Sequence, residues 1–203
     1  MTERSRAGRG RRPGAPDTRA EILGAARSLF ATRGFKSTSV RAIASAAGVD
    51  PALVHHYFGT KDDLFVAALE LPVDPRVALA PVFEKGVEGA GERLLRVFLS
   101  VWDDEEARLP MLGLVRGVVD PEGRMLLREG LFGVILGPVG EALGLDQPVR
   151  RISHVASQMI GLVMLRYVLE VEPLASMGTE VLVATYAPTL QRYLDGDLPP
   201  LDG

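Results

Sequence analysis

The chain has 203 residues, of which 47% are hydrophobic and 24% charged, a composition typical of a globular protein. It contains no cysteine, which excludes disulfides, thiolate metal sites and cysteine nucleophiles and fits a reducing compartment. The basic N-terminus lacks the apolar segment of a secretory signal, and no apolar run reaches the ~18 residues of a membrane span. We therefore expect a cytoplasmic protein without a membrane partner.

The net charge of −3 is distributed unevenly along the chain. Residues 1–61 contain eleven basic and four acidic side chains, a net charge of +7, whereas residues 62–203 contain 12 basic and 22 acidic ones, a net charge of −10. A basic N-terminal third on an acidic body is typical of a protein whose first part binds a polyanion. The alternative is a basic tail that only aids solubility.

The chain begins with signals for short helices. Residues 1–16, rich in Arg, Gly and Pro, predict a disordered arm. Asp17 is a candidate N-cap for a first helix that ends at Gly34. Ser37 to Ser39 offer caps for a second helix, and Asp50 with Pro51 for a third. Gly59 and Thr60 then end the third helix and begin a fourth.

The second and third helices, joined at Gly48, predict a helix-turn-helix braced by the first helix. In the third helix, Val54, Tyr57 and Phe58 share one side, while Ala52, His55 and His56 lie on another. A single helix fits the major groove of DNA, so the third helix is the candidate recognition helix.

No β-like alternation of useful length occurs between residues 72 and 195, so the body is predicted to be helical as well. Pro and Gly residues separate the candidate helices. These are Asp74–Lys85, Ala90–Asp103, Glu105–Val118, Pro121–Leu143, Gln147–Val171 and Thr179–Leu194.

The segment TRAEILGAARSLFATRGFKSTSVRAIASAAGVDPALVHHYFGTKDDLF, residues 18–65, resembles the DNA-binding domain of the TetR-like bacterial transcriptional regulators. The resemblance implies an all-α fold with an N-terminal three-helix helix-turn-helix domain over residues 17–62. A C-terminal helical ligand-binding and dimerisation domain would occupy residues 63–195, and a flexible tail residues 196–203. It also implies a non-enzymatic regulator, a repressor of transcription without a cofactor, whose partners are double-stranded operator DNA, a second copy of the chain and an unknown small molecule.

The same resemblance assigns the DNA contacts. Thr38 or Ser39 and Lys61 would bind phosphates at helix N-termini, and Arg41 would reach a guanine edge. Leu53 replaces the polar or small residue common in the family and would contact a thymine methyl group or pack. The predicted DNA-binding residues are Arg9, Arg11, Arg12, Thr38, Ser39, Arg41, Leu53, His55, His56, Tyr57 and Lys61.

The adjacent histidines have other interpretations. Neighbouring residues on a helix diverge by about 100°, and the third histidine, His154, is distant in sequence, so a metal site is disfavoured. No carboxylate and nucleophile accompany them, so catalysis is also disfavoured. Exposed polar surface is the main alternative to DNA contact. The arginines of the arm are expected to enter a minor groove, because a narrow A·T groove attracts arginine.

The helix over residues 147–171 is apolar on more than one face, which predicts coverage on more than one face. A dimer formed with the last helix is one explanation, and the centre of a monomeric bundle is the other. The predicted interface residues are Ile152, Ala156, Met159, Val163, Tyr167, Val181, Thr185 and Leu190.

An apolar ligand pocket is predicted between the middle helices, although such side chains are more often ordinary core. The predicted lining residues are Phe98, Trp102, Met111, Leu112, Arg116, Met125 and Met159. Two other classes of function remain open: a nonspecific architectural DNA binder, favoured by the arginine arm, and an enzyme in the body. The body shows no phosphate-cradling loop and no catalytic set.

Overall fold

A computed structural model describes residues 17–200, apart from the side chains of residues 83, 131, 132 and 135. Within that range every regular element is helical, which confirms the predicted all-α fold. The elements are α1 (Thr18–Arg33), α2 (Val40–Ala46), α3 (Pro51–Phe58), α4 (Lys61–Ala68), α5 (Pro75–Phe83), α6 (Ala90–Trp102), α7 (Glu105–Gly117), α8 (Pro121–Met125), the π-helix π1 (Leu126–Leu136), α9 (Gly137–Ala142), α10 (Pro148–Val163), the π-helix π2 (Met164–Val168) and α11 (Thr179–Asp195).

The four N-terminal helices begin at the predicted caps. Asp17, Ser39, Asp50 and Thr60 each accept a hydrogen bond from a backbone N–H in the first turn of the helix that follows. Such a cap satisfies a donor that has no partner inside the helix and contributes about 1 kcal/mol. Gly59 has a φ of 75°, a left-handed conformation that ends α3. Local side chains therefore set where each of these helices starts.

The helix-turn-helix and α4 share one apolar core. Its centre is a group of three rings, Phe30, Phe35 and Phe65, with ring centroids 5.2 to 5.7 Å apart. Leu126 and Val134 of π1 complete this core, which continues past the predicted boundary at residues 62/63. The DNA-binding part and the body are thus joined by packing as well as by the chain.

The body forms a second core from α6, α10 and α11, with buried residues such as Leu95, Leu99, Leu182 and Leu190. Two helices were predicted as continuous, over residues 121–143 and 147–171. In the structure π1 interrupts the first, and π2 replaces the last part of the second. In π1, glycines 130 and 133 weaken the preference for α-helical geometry, and Pro138 just beyond it has no N–H to donate. These features explain why the regular α-helix is interrupted there.

Candidate DNA-binding surface

The third helix presents five side chains to solvent. Val54 and Phe58 are buried in the core that α3 shares with its neighbouring helices, whereas Ala52, Leu53, His55, His56 and Tyr57 are exposed. Tyr57 is 44% exposed, although it was predicted to share one side of the helix with Val54 and Phe58, which are buried. The exposed set combines apolar, imidazole and phenol groups, which suits contact with base edges and phosphates.

The two histidines have different surroundings. Nδ1 of His55 lies 2.8 Å from the carbonyl oxygen of Gly59, an acceptor that requires the proton on Nδ1. In the neutral ring Nε2 is then an acceptor for an external donor. The His56 ring packs edge-on against Tyr57 with centroids 5.5 Å apart. Both rings are exposed, and neither is hydrogen-bonded to a carboxylate within residues 17–200.

Thr38 and Ser39, which were predicted as alternative phosphate ligands, lie in different environments. Thr38 is only 2% exposed, and its hydroxyl donates to the carbonyl oxygens of Gly34 at 2.7 Å and Leu29 at 3.1 Å. Its predicted phosphate contact is therefore corrected, because the hydroxyl is buried and already used in fixing the α1–α2 connection. Ser39 is exposed and caps α2 through the N–H of Ala42.

The cations of the predicted set flank α3. Arg41 on α2 is exposed, while Lys61 is half-buried at the start of α4. The Lys61 ammonium lies 4.2 Å from the centroid of the Phe35 ring. Desolvation lowers the pKa of Lys61, and the nearby Asp62 opposes that shift. Because Phe35 packs on Phe65, Lys61 is supported by the shared core.

Arg19 belongs to the same surface but was missed from the sequence. Its guanidinium lies 5.2 Å from the centroid of the Phe58 ring, so the start of α1 places an exposed cation beside the end of α3. Its position in the basic N-terminal third was the only signal for it. The predicted arm residues Arg9, Arg11 and Arg12 lie outside the described residues.

The predicted dimer residues divide into two groups. Val181 and Thr185 are exposed, and Met159 and Tyr167 are half-buried. The other four are buried within the chain itself, because α10 packs on α9 and α11, and α11 packs on α6. Their assignment to a dimer interface is therefore corrected. They are Ile152, Ala156, Val163 and Leu190.

The predicted pocket residues are also spread out. Trp102 is buried, and its ring lies between Phe98 at 5.8 Å and Tyr167 at 5.3 Å. Met159 is packed against the second core, whereas Met111 and Leu112 are half-buried on α7, Met125 is half-buried on α8 and Arg116 is exposed. The two described cavities lie elsewhere. One, of about 450 Å³, lies between α1 and α2, and the other, of about 410 Å³, lies between α1, α4 and α5.

Residues 17–200 contain neither a candidate metal-binding cluster nor a candidate membrane span. No group of three or more His, Asp or Glu side chains in that range converges on one point. No helix in the same range has both the length and the hydropathy that crossing a bilayer requires.

Comparison with known proteins places this geometry in a family. The model described as "Bacterial regulatory proteins, tetR family" matches residues 22–68, and "Tetracyclin repressor-like, C-terminal domain" matches residues 88–194. The HTH-type transcriptional regulator BetI of Brucella abortus is 44% identical over 69 residues, which is 32% of this chain and 35% of that protein. The HTH-type transcriptional regulator Mb3439c of Mycobacterium bovis is 45% identical over 71 residues, 34% of this chain and 38% of that one.

The chain thus spans little more than a third of the length of these curated relatives. A solved TetR-family regulator from Streptomyces coelicolor is 42% identical and covers 91% of this chain and 98% of its own, with a TM-score of 0.46. The C-terminal family model alone covers more than half of the 203 residues, and the N-terminal model covers the helix-turn-helix. The chain therefore belongs to the TetR family of DNA-binding bacterial transcriptional regulators.

Proposed function

We propose that this protein is a repressor that binds a near-palindromic operator as a homodimer and is released by a small, mainly apolar ligand. The observation that carries the proposal is the exposed face of α3, flanked by the capped first turns of α2 and α4. That arrangement supports the proposal, because α3 would contact base edges while the starts of α2 and α4 would bind phosphate groups on either side of it.

Each exposed side chain has a role in this proposal. Arg41 donates two hydrogen bonds to a guanine edge, and Leu53 contacts a thymine methyl group. His55, His56 and Tyr57 contact base edges or the adjoining backbone. Ser39, Lys61 and the newly identified Arg19 neutralise or bind phosphates, and Arg9, Arg11 and Arg12 of the arm enter a minor groove.

The proposed dimer uses the side of α10 that is opposite the subunit core. Val149 and Ile160 are eleven residues apart, which places them on the same helical face, and Ile160 is 52% exposed. On α11, Val181 is 54% exposed, and Thr185 lies one turn further on. A two-fold pairing of these faces would set two α3 helices about one duplex turn apart, or a multiple of it.

We propose that the ligand binds beside the packed rings of Phe98, Trp102 and Tyr167. Met111 and Leu112 of α7, a helix that contacts α6, are the candidate lining residues. In α7 no side chain is fully buried, so the helix has room to repack around a ligand. Movement there would reach α4 through π1, whose Gly130 lies directly against the Phe65 ring. Ligand would thereby favour a form of the dimer in which the distance between the two α3 helices does not match the operator.

Selection of genomic fragments with the purified protein tests this function. We expect enrichment of one near-palindromic sequence, and a His56→Ala variant that binds it more weakly while unfolding at the same temperature as the wild type. Uniform recovery of fragments would instead indicate a nonspecific architectural protein. Deletion of residues 1–15 is expected to reduce the salt dependence of binding by about 0.9 for each lost phosphate contact.

A further inference from the structure

Arg76, in the first turn of α5, is held between two aspartates. Its Nε and Nη2 donate to Asp74, at 3.1 Å to Oδ1 and 2.8 Å to Oδ2, and its Nη1 donates to Oδ1 of Asp63 at 2.8 Å. The bidentate contact with Asp74 orients the planar guanidinium. One nitrogen is thereby directed across to α4.

The carboxylate of Asp63 has two separate partners. Its Oδ2 accepts hydrogen bonds from the Thr60 hydroxyl at 2.6 Å and the Thr60 N–H at 3.1 Å, while the Asp63 N–H donates to the Thr60 hydroxyl. This reciprocal pair is a capping box at the start of α4. Since Oδ1 binds Arg76, one carboxylate joins the first turn of α5 to the first turn of α4.

The Arg76–Asp63 contact restrains the position of α4 more than it stabilises the fold. Arg76 and Asp63 are 35% and 40% exposed, and ion pairs in such positions contribute little to stability because water screens them. The chain already connects the end of α4 to α5 through a short loop. The Arg76 contact adds a second connection at the opposite end of α4, so the eight-residue helix is attached to α5 at both ends.

We propose that Arg76 is a positioning residue for DNA binding. Acting through Asp63, it holds the first turn of α4 so that Lys61 and the N-terminus of the helix face an operator phosphate. This inference rests on the proposed function, because it assumes that the start of α4 contacts DNA. It adds that a residue of the body, with no DNA contact of its own, determines that contact.

The first experiment compares Arg76→Gln with Arg96→Gln on the selected operator fragment over a range of KCl concentrations. Arg96 is a matched control because it also pairs with two acids, Glu92 and Glu180, on α6 and α11 of the body. We expect Arg76→Gln to bind about tenfold more weakly, as for the loss of a charge-assisted contact. Its salt slope should fall by about 1.8, one phosphate contact per subunit of a dimer. Arg96→Gln should match the wild type, and equal slopes for all three proteins would overturn the inference.

Asp63→Asn separates positioning from simple electrostatics. Removal of a negative charge near DNA should strengthen binding if only the local field matters. Positioning requires the opposite result, weaker binding, with the double variant no weaker than Arg76→Gln alone. Tighter binding by Asp63→Asn would therefore overturn the inference. Arg76→Lys, which keeps the charge but not the bidentate fork, should lie between the wild type and Arg76→Gln.

The proposed function and the positioning role of Arg76 can fail separately. If the wild-type protein enriches no fragment, the proposed function fails, and this inference fails with it. If the wild type binds its operator and Arg76→Gln binds with an unchanged slope, only the positioning role is lost. Thermal unfolding of both glutamine variants is the control for folding, and we expect similar, small decreases in midpoint.

Discussion

The DNA-binding part, residues 17–68, and the body, residues 75–195, satisfy their helix ends in different ways. All of α1 to α4 have a side-chain cap supplied by the residue just before the helix. In the body only α5 and α7 have such a cap, and α6, α8, α9, α10 and α11 do not. The body instead uses side chains that are distant in sequence.

Two examples show the difference. Gln191 on α11 accepts from the N–H of Gly91 at the start of α6 and donates to the carbonyl oxygen of Val87. Arg151 on α10 donates to the carbonyl oxygens of Tyr193 and Gly196 at the end of α11. Helix ends of this kind form only after the tertiary contacts do. We therefore expect the N-terminal helices to tolerate changes in the body better than the body does itself.

Arg151 provides the strongest test of this contrast, since it is only 5% exposed. Arg151→Met removes a buried guanidinium and leaves two partly buried carbonyl oxygens without their donor, so it should lower the free energy of unfolding by about 3 kcal/mol. Urea denaturation followed by the fluorescence of Trp102, the single tryptophan, measures this in the body. Arg192→Met, an exposed arginine on α11, is the control. Equal losses of unfolding free energy for the two variants would contradict the view that distant side chains such as Arg151 stabilise the helix ends of the body.

Substitutions at two glycines of π1 test the packing of π1 of the body against Phe65 of the DNA-binding part. A Cβ at Gly130 would overlap the Phe65 ring, whereas a Cβ at Gly133 meets nothing within 4 Å. Gly130→Ala should therefore cost about 2 kcal/mol of stability by overpacking the joint. Gly133→Ala should be neutral or stabilising by up to about 1 kcal/mol. If Gly130→Ala lost nothing in denaturation and bound DNA normally, the two regions would not be coupled through this contact.

Within the DNA-binding part, Thr38 tests whether a hydroxyl before α2 serves folding or DNA binding. Thr38→Val removes a buried hydroxyl bonded to two carbonyl oxygens and should cost about 1.5 kcal/mol of stability, while Thr38→Ser should retain most of it. Thermal or urea unfolding gives the comparison. A Thr38→Val protein with unchanged stability and weakened operator binding would restore the phosphate role that the burial of Thr38 argues against.

The smallest effect expected is on the pH dependence of stability. Hydrogen bonds from Thr60 and then from Arg76 lower the pKa of Asp63, and those from Arg76 lower the pKa of Asp74. A carboxylate with a lowered pKa stabilises the fold above its unfolded pKa of about 3.9, and that stability is lost as the pH falls through the folded value. Solvent screening limits the contribution to about 0.5 kcal/mol. The stability difference between wild type and Arg76→Gln should therefore shrink between pH 7 and pH 3, and a difference that grows would contradict the assignment.

Much of the candidate DNA-binding surface was predictable because its signals are local. The caps at Asp17, Asp50 and Thr60 are read from residue type and spacing alone, and the exposure of His55 and His56 follows from helical periodicity. Thr38 and Ser39 show the limit of this reasoning. Both are hydroxyl residues before a helix, and only the fold around Leu29 and Gly34 decides which one is buried.

The sequence alone determined the class of this protein: an all-helical chain with a basic helix-turn-helix, because caps, glycine stops and periodicity act over a few residues. Only the tertiary structure decided which apolar face of α10 is inside the subunit, since a helix apolar on several sides fits more than one packing. It also brought Arg76 to Asp63 and Gly130 to Phe65. Such pairs depend on the path of the chain between them, which local interactions do not specify.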